Sequence, residues 1–289
     1  VNVYNWSDYI GASIIAEFTK ETGIKVVYDV YDSNEMLESK LMAGASGYDL
    51  VFPSARPFAH KQIQAGVFAE LDTAKLPNMK HLDPVILKSL VNLDPGNAHV
   101  LPYLWGTTGL GINVTKVREI LGPDAKLDSW SLLFDPAISG KLAKCGIGLL
   151  DDEQEATAAA LIWQGKDPNV ANAEQNAAVK SAFAAVRKNI RYFHSSKSID
   201  DLANGDVCLV MGYSGDVFQA ADRAEEAGNG IEIQYVIPKE GAVRWVDVMA
   251  IPKDAPHPDN ALAFMNFLMS PKVSAGISDY VAYASPNTA

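Results

Sequence analysis

Three short stretches set aromatic rings beside carboxylates. The run YNWSDY carries Trp6, Ser7, Asp8 and Tyr9, GYSGD carries Tyr213 and Asp216, and RWVD carries Arg244, Trp245 and Asp247. A ring face attracts a cation through its quadrupole, and a carboxylate adds charge-assisted hydrogen bonds. Rings and acids together make a box for an ammonium group. Each stretch also has a plainer reading. Trp6 suits a core indole, and Asp8 and Asp216 suit caps of the helices that follow. The same combination at three loop positions favours the box.

The stretch AVRWVDVMAIP, 242–252, poses the sharper question. It alternates like a strand, with Val243, Trp245, Asp247 and Met249 on one face and Arg244, Val246 and Val248 on the other. A cation and an anion thus flank one indole.

Other chemistry finds no matching pattern. The histidines, His60, His81, His99, His194 and His257, form no i, i+4 pair and no H-E-x-x-H. GYSGD is not G-x-S-x-G, so Ser214 is not signalled as a nucleophile. There is no Walker A sequence and no C-x-x-C, and His194 beside Ser195 and Ser196 is an adjacency common by chance. No catalytic residue, metal site or cofactor is expected. Cys145 and Cys208 read either as buried thiols or as one disulfide.

The elements that would carry the boxes alternate strand and helix. VNVYNW, IKVVYDVY and YDLVFPS read as strands. IGASIIAEFTKETG, SNEMLESKLMAG and PFAHKQIQAG read as helices between and after them. Such alternation means a parallel sheet with helices on its faces. In such sheets ligands sit at the carboxyl ends of strands, where the aromatic–acid stretches fall. VLPYLWGTTGLGINV, 100–114, breaks the rhythm with Gly106, Gly109 and Gly111. It reads as a crossing between two lobes, with a glycine-softened strand as the alternative. A second alternating unit follows, containing CGIGLLDD, the helix EQEATAAALIWQG, the run 173–187 and the strand–turn–helix VCLVMGYSGDVFQAADRAEEAG. HPDNALAFMNFLMSP is a further helix. Two crossings, near 106–112 and 247–251, suggest a hinge.

The 289 residues suit two lobes better than one core. With 48% hydrophobic and 20% charged residues the chain reads as globular. A net charge of −11 without a Lys/Arg cluster argues against nucleic acid, which needs a basic footprint. No apolar run reaches the roughly 18 residues that cross a bilayer. The N-terminus has neither the charged nor the apolar region of a signal peptide, so any leader has been removed.

The motifs VYNWSDYI, TGIKVVYDVYDSNE, YDLVFPSA, NIRYFHSS, DLANGD, GDVFQA and IPKEGA resemble the polyamine-binding, putrescine-type periplasmic solute-binding proteins of ABC transporters, over essentially the whole chain. The resemblance implies an α/β, two-lobe, type II periplasmic-binding-protein fold with a hinge and an interlobe ligand cleft. It places the N-terminal lobe at 1–109 and 250–277 and the C-terminal lobe at 110–249 and 278–289. It implies a periplasmic monomer, a membrane permease as partner, and a Cys145–Cys208 disulfide. The ligand residues it implies are Trp6, Ser7, Asp8, Tyr9, Ser54, Glu155, Tyr213, Asp216, Trp245, Asp247 and Tyr283. The family's chain continues past SPNTA, so the sequence reads as a truncated segment.

Two positions depart from the pattern. Arg56 stands where a small serine is common, and Arg244 where a small or neutral residue is. A guanidinium repels an ammonium but suits a carboxylate. An ammonium end held by acids and a carboxylate end held by Arg56 or Arg244 describe an ω-amino acid. The expected ligand is therefore 4-aminobutyrate, with a polyamine such as putrescine or spermidine as the alternative and an enzyme on the same architecture less favoured.

Overall fold

The computed structural model describes residues Val1 to Ala289. The chain runs β1 (Asn2–Trp6), α1 (Ala12–Thr22), β2 (Val27–Tyr31), α2 (Asn34–Met42), β3 (Leu50–Val51), α3 (His60–Gln64), α4 (Pro84–Leu90) and β4 (Val100–Asn113). It continues with α5 (Val114–Leu121), α6 (Ser131–Phe134), α7 (Pro136–Leu142), β5 (Ile147–Leu149), α8 (Glu153–Trp163), α9 (Ala173–Val186), β6 (Tyr192–Phe193) and α10 (Ser198–Asn204). It ends with β7 (Leu209–Tyr213), α11 (Ser214–Ala227), β8 (Ile233–Val236), β9 (Val243–Ala250), α12 (Pro258–Leu268) and α13 (Pro271–Val281).

Local chemistry sets many of these boundaries. Ser33 caps α2 by accepting from the Met36 amide at 3.2 Å. Gly23, Gly205 and Gly228 close α1, α10 and α11 in the left-handed conformation that costs glycine nothing. Pro258 and Pro271 open α12 and α13, where the missing amide hydrogen would be unpaired anyway.

The chain divides into two compact units. One is Val1–Gly106 with Trp245–Ala289, and the other is Thr107–Arg244. In the first unit β1 pairs in parallel with β2 and β3, and β3 pairs antiparallel with β9. Tyr4, Tyr31, Leu37, Val51, Phe68 and Val248 form its sheet-side core. Phe18 of α1 packs on Phe264 and Phe267 of α12, with centroids 4.7 and 5.3 Å away. In the second unit β4 pairs antiparallel with β7 and β8, while β7, β5 and β6 run parallel. Its core gathers Leu110, Ile112, Trp130, Phe134, Ile147 and Leu209.

The final segment departs from the sequence-based division. Residues 278–289 belong to the first unit, not the second. Trp105 and Ala284 exchange backbone hydrogen bonds of 3.0 and 3.1 Å, and Asp83 and Thr288 add bonds to Pro286 and His81. Unpaired backbone groups at this junction would be costly to bury, so the tail is drawn back to the first unit. The chain passes between units at 106/107 and 244/245, a few residues before the expected positions.

The glycines of β4 also have another cause than bending. A Cβ on Gly109 would lie 2.5 Å from the Val236 carbonyl oxygen, and one on Gly111 would lie 2.7 Å from Val210. Close approach of the neighbouring strands requires glycine there.

Cys145 and Cys208 form a disulfide within the second unit, with Cα atoms 5.5 Å apart. Cys208 begins the approach to β7, and its amide bonds the Gly146 carbonyl at 3.0 Å, so sheet pairing brings the two cysteines together.

Candidate functional site

In the first unit the functional side chains come from the ends of β1 and β3, from β9 and from the turn after α13. Asp247 is the centre. It is 4% exposed. Its Oδ2 accepts from the Tyr9 hydroxyl at 2.8 Å and its Oδ1 from the Ser54 hydroxyl at 2.7 Å. Two neutral hydroxyls thus hold the carboxylate in place. Burial first, and then the charge of Asp247, raise the pKa of Tyr9 well above the tyrosine range, so Tyr9 is the donor.

Rings line this acid. Tyr9 meets Tyr283 edge-on at 5.2 Å, and Tyr283 meets Trp245 at 5.4 Å. Ala282, in the left-handed conformation at the C-cap of α13, turns Tyr283 back toward Tyr9. Tyr103 packs edge-on against Tyr9 at 5.4 Å and donates to its backbone carbonyl at 2.7 Å. Trp6 donates from Nε1 to the Phe52 carbonyl at 2.8 Å, which fixes its indole beside Tyr31. Ser7 donates to Asp32 at 2.8 Å. Asp8 is exposed and has φ of 53°, a conformation that aspartate tolerates better than most residues.

Asn34 supports this group and was not apparent from sequence. Its Nδ2 donates to Ser54 Oγ at 3.0 Å, and its Oδ1 accepts from the Ser54 amide at 3.0 Å. In sequence it is simply the residue after a capping serine. Only the fold places it under Ser54.

The second unit carries a separate acid group at the carboxyl ends of β5 and β7. Asp152 caps α8, its Oδ1 accepting from the amides of Gln154 and Glu155 at 3.0 Å each. Its Oδ2 accepts from the Tyr213 hydroxyl at 3.1 Å. Glu155 lies in the first turn of α8 and Asp216 in the first turn of α11, where the helix dipole favours a negative charge. Burial first, then Asp152, Glu155 and Asp216, raise the pKa of Tyr213 well above the usual value. Asp152, which takes the hydroxyl's hydrogen bond, and the charges of Glu155 and Asp216 all act on this phenol. Tyr235 lies beside the same group. Its hydroxyl pairs with Thr107 at 2.7 Å, and burial, with a contribution from Glu155, pushes its pKa up to about 12 against that bond. Asp152, Thr107 and Tyr235 had been passed over. In sequence DD at 151–152 closes the strand-like CGIGLLDD, whereas Asp152 is the N-cap of the helix that follows.

The sequence-derived residues thus fall into two groups. Trp6, Ser7, Asp8, Tyr9, Ser54, Trp245, Asp247 and Tyr283 lie on the first unit, and Glu155, Tyr213 and Asp216 on the second. The arginines stand apart in character. Arg56 is exposed and extended, with φ −124° and ψ 137°. Arg244 is exposed on β9, alternating with Trp245. Exposed guanidiniums bind in a high dielectric and hold a carboxylate weakly.

The model of the family described as bacterial extracellular solute-binding protein matches residues 13–289. The chain is 51% identical over 290 residues to the putrescine-binding periplasmic protein of Escherichia coli K12, covering 100% of this chain and 78% of that one. It is 52% identical to the putrescine-binding periplasmic protein of Pseudomonas aeruginosa UCBPP-PA14, again over 100% of this chain and 78% of the other. Among solved structures, one assigned as a spermidine/putrescine ABC transporter from Listeria monocytogenes superposes with a TM-score of 0.87 at 34% identity, covering 99% of this chain and 83% of that one.

Proposed function

The chain belongs to the bacterial extracellular solute-binding proteins, and on that premise we propose that it captures a polyamine, above all a diamine of the putrescine type. It is the periplasmic substrate-binding protein of an ABC importer, and its relatives bind solutes rather than transform them. No helix is long and apolar enough to cross a membrane. Its membrane partner is the importer's permease.

The observation that carries the ligand reading is Asp247. It is buried, ringed by Tyr9, Tyr283 and Trp245, and held by two neutral hydroxyls. An ammonium group supplies the counter-charge and donors that such an acid can use. The rings add cation–π attraction. The Asp152, Glu155 and Asp216 group supplies a second set of acids.

The expectation of 4-aminobutyrate is corrected. It rested on Arg56 and Arg244 holding a carboxylate, and both are exposed. The relatives at 51% and 52% identity are putrescine-binding proteins. A carboxylate end would also meet repulsion from either acid set. Calorimetric titration with putrescine and spermidine tests the reading. Saturable binding of putrescine supports it, and absence of heat with both polyamines refutes it.

A further inference from the structure

We propose that Asn229 is a site of spontaneous modification, deamidating through its own backbone to aspartate and isoaspartate, and that the product unties the turn that closes α10. The chain has two Asn–Gly pairs, Asn204–Gly205 and Asn229–Gly230. A following glycine leaves the backbone nitrogen uncrowded, so it can reach the side-chain amide carbon. All four residues are exposed to water. Their backbone nitrogens differ. Gly205 ends α10 in the left-handed conformation, and its N–H is held in the cap by the carbonyls of Asp201 and Leu202, the latter at 3.2 Å. The Gly230 N–H is not held by any acceptor. At Asn229 the carbon under attack is also activated. The Ile231 N–H donates to Asn229 Oδ1 at 3.0 Å and polarises the side-chain carbonyl.

The step needs only the chain and water. The Gly230 nitrogen gives its proton to hydroxide and attacks Asn229 Cγ. The N–Cγ bond forms, the Cγ–Nδ2 bond breaks, and Nδ2 leaves as ammonia with a proton from water. Water then opens the cyclic imide at either carbonyl, giving aspartate or isoaspartate. The change matters because Asn229 Nδ2 donates to the Ala203 carbonyl at 2.8 Å. That carbonyl is among the last four of α10, which lack partners within the helix. A carboxylate has no hydrogen to donate there, and its charge sits at the negative end of the helix dipole. Ile231 packs on the same turn, where a Cβ on Gly205 would lie 3.0 Å from its Cδ1. Leu202 and Ala203 share a small core with Val217 and Ala220 of α11. Losing the tie therefore loosens the layer that carries Asp216 in the first turn of α11.

The test is peptide mass spectrometry of the parent held at mildly alkaline pH, folded and in urea. In the folded protein Asn229 should convert at least about fivefold faster than Asn204, which is about 1 kcal/mol, the net contribution of the hydrogen bond that holds the Gly205 nitrogen. In urea the cap is gone and the two rates should converge. Equal rates in the folded protein, faster conversion at Asn204, or an Asn229 that stays intact while the urea sample reacts would overturn the site. Asn229→Asp should lower the urea midpoint of the parent more than Asn204→Asp does. The latter adds the same charge at the end of α10 and leaves the bond to Ala203 in place. A midpoint for Asn229→Asp equal to or above that of Asn204→Asp overturns the structural consequence.

Discussion

The Tyr9 hydroxyl donates to Asp247 Oδ2 at 2.8 Å across 238 positions of sequence, and both residues are only 4% exposed. A buried carboxylate is costly unless its oxygens are bonded. Here Tyr9 and Ser54 each donate to one of those oxygens.

Asp247→Ala should weaken putrescine binding by the roughly 2–5 kcal/mol lost when one partner of a buried charge pair is removed. Tyr9→Phe and Ser54→Ala should each weaken it by less, about 1.5–3 kcal/mol, the contribution of a hydrogen bond to a charged group. Calorimetry on the three variants reads the order directly. Equal affinity in parent and Asp247→Ala would remove Asp247 from the site.

Asp152→Ala removes the oxygen that accepts from two backbone amides at the start of α8, and the acceptor of the Tyr213 hydroxyl. The lost cap should cost about 1 kcal/mol of stability. Polyamine affinity should fall as well, because Tyr213 and Glu155 lose their common anchor. A stability loss with unchanged affinity would leave Asp152 only a cap.

The disulfide closes a segment with a sequence separation of 63. The loop-entropy relation gives a stabilisation of about 4 kcal/mol. Cys145→Ser with Cys208→Ser should shift the urea midpoint down accordingly. The change lies within the second unit. Reducing agent added to the unfolded parent should expose two thiols that were undetectable before.

Alkaline pH should unfold the protein. Tyr9, Tyr31, Tyr103 and Tyr213 all have pKa values raised well above the ordinary 10, with burial the leading cause in each. A raised folded-state pKa means that the stabilising contribution is fully present below pH 10. It is lost as pH climbs from the unfolded value toward the folded one. Tyrosinate absorbance should therefore appear late and together with loss of near-ultraviolet circular dichroism. Ionisation of all eleven tyrosines near pH 10 with the fold intact would contradict the buried ring arrangement.

The strand–helix alternation of the first unit was legible in sequence because its signals are local. β1, β2 and β3 fall within VNVYNW, IKVVYDVY and YDLVFPS, and α1 stops at the expected Gly23. The aromatic–acid stretches pointed to Asp247 and Tyr9 for the same reason. What was missed depends on distant partners. Asn34 matters through Ser54, Asp152 through Tyr213, and the tail through Trp105. α13 was missed because Pro271 reads as a stop, yet it also opens the next helix. Arg56 and Arg244 were given a carboxylate because residue type states a charge but not its exposure.

The most direct test of the account sets putrescine against 4-aminobutyrate in parallel calorimetric titrations of the same preparation. The two ligands have similar length and differ at one end, where an ammonium replaces a carboxylate. The polyamine reading predicts saturable putrescine binding, with 4-aminobutyrate weaker by at least about a hundredfold, or roughly 2.8 kcal/mol. Binding of 4-aminobutyrate as tight as putrescine, or tighter, would contradict it.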